Sequence, residues 1–408
     1  MKIVIAAASF APNISGLQRH ALNLARCLML QSEVTELHFV IAPWQQGFMR
    51  TVPMGPGSRL TLHVAEMDRG AFSRNAWYYY RLPKIAARLH ADLVHLTFPA
   101  PVDARAFDCP TVVTLHDLYP YEIPMNFGFP KFLFNRIILR QCLSNATAIA
   151  CVSDITKTRL RQYTPSSVWR KAVRIHNSVE PELRCAARVP NPGWQDKPFL
   201  LAIAQHRRNK NLPLLIHIYD CLLRTARINP ETRLIIVGIS GPETQRLQRL
   251  VAHFGLNGKV RFLEGISEPE LQWCYLHCEA LVAPSLTEGF GLPVAEALLA
   301  GCRVICSDIP AHREVGDGYC RFVPLNELAE GAFAAAIADA LQQPRPRPLS
   351  FPQFSTPVLA KQYVGLYRYL IASAARVQTP TSHERRTWKA GMNTADLSHR
   401  KGAKHGRI

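Results

Sequence analysis

The sequence predicts an α/β protein of two Rossmann-like domains facing across a cleft, on three observations. Short apolar runs alternate with longer stretches of helical period, the pattern of strand–helix–strand units on a parallel sheet. The alternation occurs twice, and residues 183–197 between the two series lack periodicity and carry two prolines and a glycine. The 408 residues suffice for two domains with full cores.

Residues 2–8 form a continuous apolar run, as expected of a strand buried on both faces. A loop from Phe10 to Gly16 leads into the helical pattern LQRHALNLARCLML. Gly16 there allows close approach of backbone to a ligand, and a plain strand-to-helix turn would use it equally well. LHFVIAP (37–43) reads as a strand, followed by a loop rich in glycine and proline. In RNAWYYYRLPKIAARL (74–89), Trp77, three tyrosines, Arg81, Lys84 and Arg88 cluster. DLVHLT (92–97) and PTVVTLHDL (110–118) are strands, the latter ending in His116-Asp117 at the sheet edge where open α/β folds bind ligands. FGFPKFLFNRIILRQCL (127–143) interleaves Phe129, Phe132, Phe134, Ile137 and Ile138 with Lys131, Arg136 and Arg140. Its apolar positions either all face the domain core or form a basic, aromatic surface that docks on anionic lipid. ATAIACVSDITKTRL (146–160) is a strand and helix with Ser153 as N-cap, and VRIHNSV (173–179) closes the first series.

The second series begins at FLLAIA (199–204) and runs into a basic loop, Gln205 to Lys210. RLIIVG (233–238), KVRFLEGI (259–266) and EALVAPS (279–285) are its next strands. Residues 281–308 then read as strand, glycine-broken loop, short helix, glycine stop and strand. Gly289 and Gly291 permit tight turns, Pro293 suits a helix start and Gly301 its end. The free N–H groups of that helix face the loop and form an anion cradle. Glu288 lies before the glycines and Glu296 in the expected first helical turn. They read either as a solvated loop acid and a complement to the helix dipole, or as acceptors for the hydroxyls of a bound sugar or ribose. Residues 357–375 form an amphipathic helix. From Arg376 the chain is polar, basic and expected to be disordered.

Glu288 to Glu296 spell an E-x7-E signature with the internal sequence EGFGLP, continued by Ala283-Pro-Ser285 upstream and by Ser307-Asp308-Ile309-Pro310 and Arg313-Glu314-Val315 downstream. In these residues the chain resembles the family-4 glycosyltransferases of the group 1 type, retaining enzymes of the GT-B fold. The resemblance runs over residues 1–375 and is strongest from 199 to 325. It implies an acceptor domain at 1–182, a linker at 183–197, a nucleotide-sugar domain at 198–356, a helix at 357–375 crossing back to the first domain, and a basic tail at 376–408. The implied reaction is retaining transfer of a hexose, such as mannose, from a GDP- or UDP-sugar to a glycan or polyprenyl-diphosphate-linked acceptor in cell-surface polysaccharide synthesis.

By the same resemblance, Glu296 holds the donor ribose, while Glu288 and the backbone of Phe290, Gly291 and Leu292 hold the transferred sugar and its phosphate. Lys210 matches the family lysine that grips the diphosphate. Gln205 stands where an arginine is usual, so Arg207 or Arg208 supplies the second charge. The base is read near Ile266. Gly16 belongs to a loop that usually has paired glycines, here Ser15-Gly16, and the family's N-G-V-D becomes Asn177-Ser-Val-Glu180. His116 approaches the reacting sugar from the opposite domain, and a departing phosphate oxygen serves as the acceptor's base.

Composition bounds the alternatives. The hydrophobic share of 48% is that of a globular protein. Eleven cysteines without a C-x2-C pair indicate reduced thiols and no zinc site. Met1 leads directly into an apolar strand, and no apolar run approaches the roughly 20 residues of a spanning helix. A cytoplasmic protein is expected, in peripheral contact with the inner face of an anionic membrane. The net charge of +18 concentrates in residues 1–182, with twenty Lys/Arg against twelve acids, and in 371–408, with eight against two. Such an excess suits nucleotide diphosphates, anionic lipid or nucleic acid. No G-x-G-x-x-G follows either first strand, which argues against a nicotinamide enzyme. No D-x-D occurs, so neither metal nor cofactor is expected, and Lys210, an arginine and helix N–H groups meet the leaving-group charge. Three other readings fit less of the sequence. A hydrolase using Glu288 and Glu296 as its acid/base pair has no need of Lys210 and the cradle. A GT-B sugar-nucleotide epimerase is disfavoured by the E-x7-E match. A basic nucleic-acid-binding protein leaves the cleft residues unexplained.

Overall fold

The apolar runs become strands because helices cover both faces of each sheet, and the two series close into two separate sheets. A computed structural model describes residues 1–10, 16–49, 59–179, 189–190 and 197–378. The first sheet contains β1 (Lys2–Ala6), β2 (Glu36–Ile41), β3 (Leu60–Val64), β4 (Leu93–Leu96), β5 (Thr111–Leu115), β6 (Ala148–Cys151) and β7 (Ala172–Arg174), in the order 3-2-1-4-5-6-7. The second contains β8 (Phe199–Ile203), β9 (Arg233–Val237), β10 (Val260–Leu263), β11 (Ala280–Ala283), β12 (Val304–Ser307) and β13 (Arg321–Val323), in the order 10-9-8-11-12-13. Neighbouring strands pair in parallel in both sheets. Strand order reverses between β1 and β4 and between β8 and β11, which opens a crevice at the carboxyl ends of each pair.

One face of the first sheet packs Val4, Val94 and Leu115 against Trp77, Tyr78 and Leu139. Its other face packs Ile3 and Ile5 against Leu24 and Leu28 of the helix Gly16–Met29. The helix Thr356–Gln378 completes that face with Leu359, Tyr363, Val364, Tyr367 and Leu370, so the last described helix does cross back to the first domain. Each such side chain removed from water contributes about 1.5–3 kcal/mol. This helix starts one residue before and ends three after the expected 357–375. The tail from 379, residues 180–182 at the end of the expected first domain, and residues 183–188 and 191–196 of the expected linker lie outside the described residues.

Several elements depart from the sequence reading. The strands β3 and β13 were not anticipated. β3 is a sheet edge whose Leu62 and Val64 are exposed, so it lacks the apolar run of a doubly covered strand. Segment 74–89 is not one regular helix. A wide π turn, Trp77–Arg81, separates helices Ala71–Ala76 and Leu82–Arg88 just ahead of Pro83, which has no N–H to give to the preceding turn. Helix Lys131–Asn145 corrects the core reading of its apolar positions, since within it only Leu139, Cys142 and Leu143 are buried. Phe129 is 82% exposed, Phe134 61% and Ile137 64%, and the buried positions of the helix all lie in its carboxyl-terminal half. The described cysteines are free thiols. Among the described residues no helix is long and apolar enough to cross a membrane.

Candidate functional site

The carboxyl end of β11 feeds a loop that returns as the helix Leu292–Leu299. Gly291 caps that helix at φ 95°, a left-handed conformation that side chains with a Cβ rarely adopt. Pro293 occupies the second helical position, where a missing N–H costs nothing. Glu296 is therefore the fifth helical residue. It lies beyond the first turn, against the sequence expectation, and cannot simply complement the dipole. Its carboxylate accepts hydrogen bonds from Arg19 Nη1 at 2.8 Å and from the Tyr275 hydroxyl at 2.7 Å. Arg19, on the helix Gly16–Met29 of the first domain, also pairs through Nη2 with Glu268. One guanidinium thus bridges two carboxylates of the other domain.

Glu288 is buried, which excludes the solvated-acid reading. Lys210 Nζ lies 2.6 Å from Oε1, the Ser285 hydroxyl donates to the same oxygen at 2.7 Å, and the Tyr119 hydroxyl approaches Oε2 at 3.4 Å. Burial pushes the pKa of Glu288 up, but Lys210, His312 and these hydrogen bonds outweigh it and hold the carboxyl below its usual value. Lys210 ends a 3-10 turn, Arg208–Lys210, directly after β8. Of the two candidate arginines, Arg207 is half-buried with its charge acting on Asp117 across the cleft. The Arg208 backbone N–H donates to Asn126 Oδ1 of the first domain at 3.1 Å.

His116 is the residue after β5. Its Nε2 donates to the Thr97 carbonyl at 2.9 Å, so Nδ1 carries the lone pair of the neutral ring. Burial pushes its pKa down to about 4. Asp117 moves the other way, up to about 6, chiefly through burial and against the Tyr119 N–H and Arg207. Behind His116 runs a buried polar chain. Tyr367 hydrogen-bonds His95 Nδ1, Thr114 Oγ1 lies 2.8 Å from His95 Nε2 and 3.1 Å from His20 Nε2, and His20 Nδ1 donates to Asn177 at 2.9 Å. His20 meets His116 edge to face at 4.7 Å.

The two domains meet at Gly289, where an added Cβ would lie 1.8 Å from the His116 carbonyl oxygen. The Ser153 and Thr156 hydroxyls donate to the Gly289 carbonyl, Thr156 at 3.0 Å, and Arg159 donates to the Glu288 carbonyl at 3.1 Å. Glu288, Lys210 and Gly291 therefore converge, with Asp117 within reach of their charges, while the His116 ring packs on His20 and Glu296 sits with Arg19. The Phe290 ring is buried against His176 and Phe354, which leaves its backbone for the loop. Leu292 opens the helix, half-buried. Ile266 lies half-buried in the loop before helix Glu268–His277. Gly16 begins its helix, with no described atom within 4 Å of where a Cβ would be. Between Lys210, Glu288, Gly291 and His312 the second domain holds a cavity of about 10 Å³, room for one water.

Arg19, Asp117, Ser285, Glu268, Tyr275 and His312 were not singled out from sequence. Arg19 and Glu268 look like ordinary surface charges until the domains are brought together. Asp154, His176 and Glu314 bring potential metal-ligand atoms within 4.8 Å of one another. Glu314, however, already accepts the backbone N–H of Asp154 at 2.8 Å, and Arg174 stands 3.4 Å from Asp154 and 3.2 Å from His176. The trio is better satisfied as an interdomain helix cap than as a cation site.

Comparison with known proteins follows this division. The family model described as Glycosyltransferase Family 4 matches residues 14–183, and that described as Glycosyl transferases group 1 matches 188–351. The chain is 25% identical over 335 residues to the O-antigen chain mannosyltransferase B of Escherichia coli, covering 77% of this chain and 84% of that one. It is 30% identical over 234 residues to the O-antigen chain mannosyltransferase RfbU of Salmonella typhimurium, covering 57% and 61% respectively. The solved structure of HepE from Anabaena, in complex with UDP and glucose, superposes with a TM-score of 0.64 at 17% identity, covering 91% of this chain and all of that one.

Proposed function

Because the chain belongs to the group 1, family-4 glycosyltransferases and has their GT-B fold, we propose that it is a retaining hexosyltransferase of cell-surface polysaccharide synthesis. Its donor is a nucleoside diphosphate sugar, with mannose favoured as the sugar because the relatives above are named mannosyltransferases. Its acceptor is a hydroxyl of a glycan or polyprenyl-diphosphate-linked chain. One observation carries the reading: a buried, ionised Glu288 paired with Lys210 beside the Gly291 helix start, with both charges acting on Asp117 of the other domain.

In this reading Lys210, Arg207 and the helix N–H groups stabilise the charge that develops on the leaving diphosphate. They act at the mouth of a water-poor cleft, where such groups are most effective. Glu288 accepts hydrogen bonds from the transferred sugar and Glu296 from the ribose. Neutral His116 offers the sugar a lone pair at Nδ1 rather than a charge. The acceptor hydroxyl gives its proton to the departing phosphate oxygen, and the sugar is delivered to the same face. We propose that this requires no metal.

The test is calorimetric titration of wild type and Glu296→Ala with GDP-, UDP- and ADP-sugars in chelator. Binding of one nucleotide class, weakened in the variant, supports the reading. Failure of every nucleotide sugar to bind would overturn it, and binding only after metal is restored would overturn the metal-free mechanism. The exposed Phe129, Phe134 and Ile137 beside Lys131 and Arg140 support peripheral docking on anionic lipid. Phe134→Ser/Ile137→Ser should then reduce sedimentation with phosphatidylglycerol vesicles while leaving nucleotide binding unchanged.

A further inference from the structure

We infer that Tyr367, on the helix that crosses back to the first domain, is a positioning residue for His116: its hydroxyl sets the direction of a buried hydrogen-bond chain that fixes the His20 ring against which His116 packs. The inference rests on the reading of His116 as the group that approaches the reacting sugar. The chain gathers side chains from distant parts of the sequence. Tyr367 lies on helix Thr356–Gln378, His95 on β4, Thr114 on β5, His20 on helix Gly16–Met29 and Asn177 in the segment after β7. Every one of them is buried, so water does not compete for their hydrogen bonds.

Each link holds one proton, so one donor decides all the others. Among the described residues the Tyr367 hydroxyl has no hydrogen-bond partner besides His95 Nδ1, and it must therefore donate there. His95, with its lone pair at Nδ1, carries its proton at Nε2 and donates to Thr114 Oγ1 at 2.8 Å. The Thr114 hydroxyl then donates to His20 Nε2 at 3.1 Å. His20 is left with its proton at Nδ1, which goes to Asn177 Oδ1 at 2.9 Å. Run the other way, the chain would strand the Tyr367 O–H in the core without an acceptor, a costly arrangement. Burial keeps His20, His95 and His116 neutral, so each ring has one N–H and one lone pair to place. With both nitrogens engaged, His20 cannot turn about its side-chain bond without breaking two hydrogen bonds. His116 meets this fixed ring edge to face, centroids 4.7 Å apart, and its own Nε2 is tied to the Thr97 carbonyl at 2.9 Å. A ring locked by packing and by hydrogen bonds to its neighbours holds its remaining lone pair, at Nδ1, in one direction.

Long-range nitrogen–proton correlation spectra of protein labelled at histidine read the tautomers directly. Wild type should show His20 protonated at Nδ1 and His95 at Nε2; the opposite tautomers would overturn the inference before any variant is made. Tyr367→Phe keeps the ring and removes the O–H, so nothing then favours one direction, and His20 and His95 should each populate both tautomers. Turnover, followed as nucleoside diphosphate released from GDP-mannose and UDP-glucose, should fall about tenfold with little change in the KM of the nucleotide sugar. Should Tyr367→Phe fail to fold, Thr114→Val cuts the chain at its middle and should lower turnover to the same extent. A lower Tm with unchanged tautomers and turnover marks a purely structural contact and overturns the positioning role. His116→Gln separates the inference from the reading beneath it. If that variant turns over like wild type, the reading of His116 falls and the positioning role with it. If it is slow while Tyr367→Phe and Thr114→Val are not, the reading survives and only the inference fails.

Discussion

Three histidines and one aspartate near the cleft titrate in ways that make acid stability a test of the site. Burial holds His116 down to about 4 and His95 to about 3, and it lowers His20 as well, with the neighbouring histidines adding to the effect. The unfolded chain takes up these protons near the ordinary value of 6.5, while the folded chain does not. Stability is therefore intact above pH 6.5 and is lost as pH falls towards 4. Thermal melts across that window should show a steep fall in Tm, shallower in His95→Gln. Asp117 has the opposite sign: its pKa is raised from 3.8 to about 6, so stability is lost as pH rises through that interval. Asp117→Asn should melt like wild type at pH 3.5 and higher than wild type at pH 7. Lys210→Met leaves Glu288 buried without its cation and should cost about 3 kcal/mol in urea unfolding, as well as most nucleotide binding. Glu288, Lys210 and His116 were legible in the sequence because motif and strand end coincide. Arg19 was not, because its partners Glu268 and Glu296 lie in the other domain, and no spacing along the chain encodes such a contact.

At the scale of elements, the loop 284–291 and the helix Asp154–Tyr163 belong to different domains yet share hydrogen bonds. Ser153 caps its own helix through the Thr156 N–H at 3.0 Å and also donates to Gly289 of the other domain. Ser153→Ala should cost about 1 kcal/mol for the cap and weaken the domain contact as well. Gly289 bears on the same contact. An alanine there would put its Cβ 1.8 Å from the His116 carbonyl, and backbone on that side cannot yield. Gly289→Ala should therefore hold the domains apart, lowering turnover by about tenfold or more with a larger radius of gyration in small-angle scattering. Wild-type turnover and radius would remove this contact from the mechanism. The strand–loop–helix–strand order of 281–308 was readable because glycine, proline and apolar runs each have a local physical meaning. β3 was not, since a half-exposed edge strand shows no continuous apolar run, and the π turn at 77–81 is a response to Pro83 that helical periodicity does not reveal.

At the scale of the whole molecule, the twofold alternation of apolar runs was enough to recover both sheets and the crossing helix. The closure of the cleft was not, because it rests on contacts such as Arg19 with Glu296 and Asn126 with Asn209 that only the docked domains create. Helix Thr356–Gln378 ties the molecule together, since Leu359, Tyr363 and Tyr367 fill one face of the first sheet. A chain ending at 355 should expose Ile3, Ile5, Leu24 and Leu28, bind a hydrophobic dye and unfold without the cooperative transition of the full chain. A soluble, cooperatively folding product would show that the first domain stands alone. The same helix has a consequence for biosynthesis. A ribosome releases the first sheet early, but the residues that cover its outer face are translated after the entire second domain. Until then the nascent first domain carries an open apolar face, and chaperones that shield such faces should engage this chain from the emergence of β2 until the last helix docks.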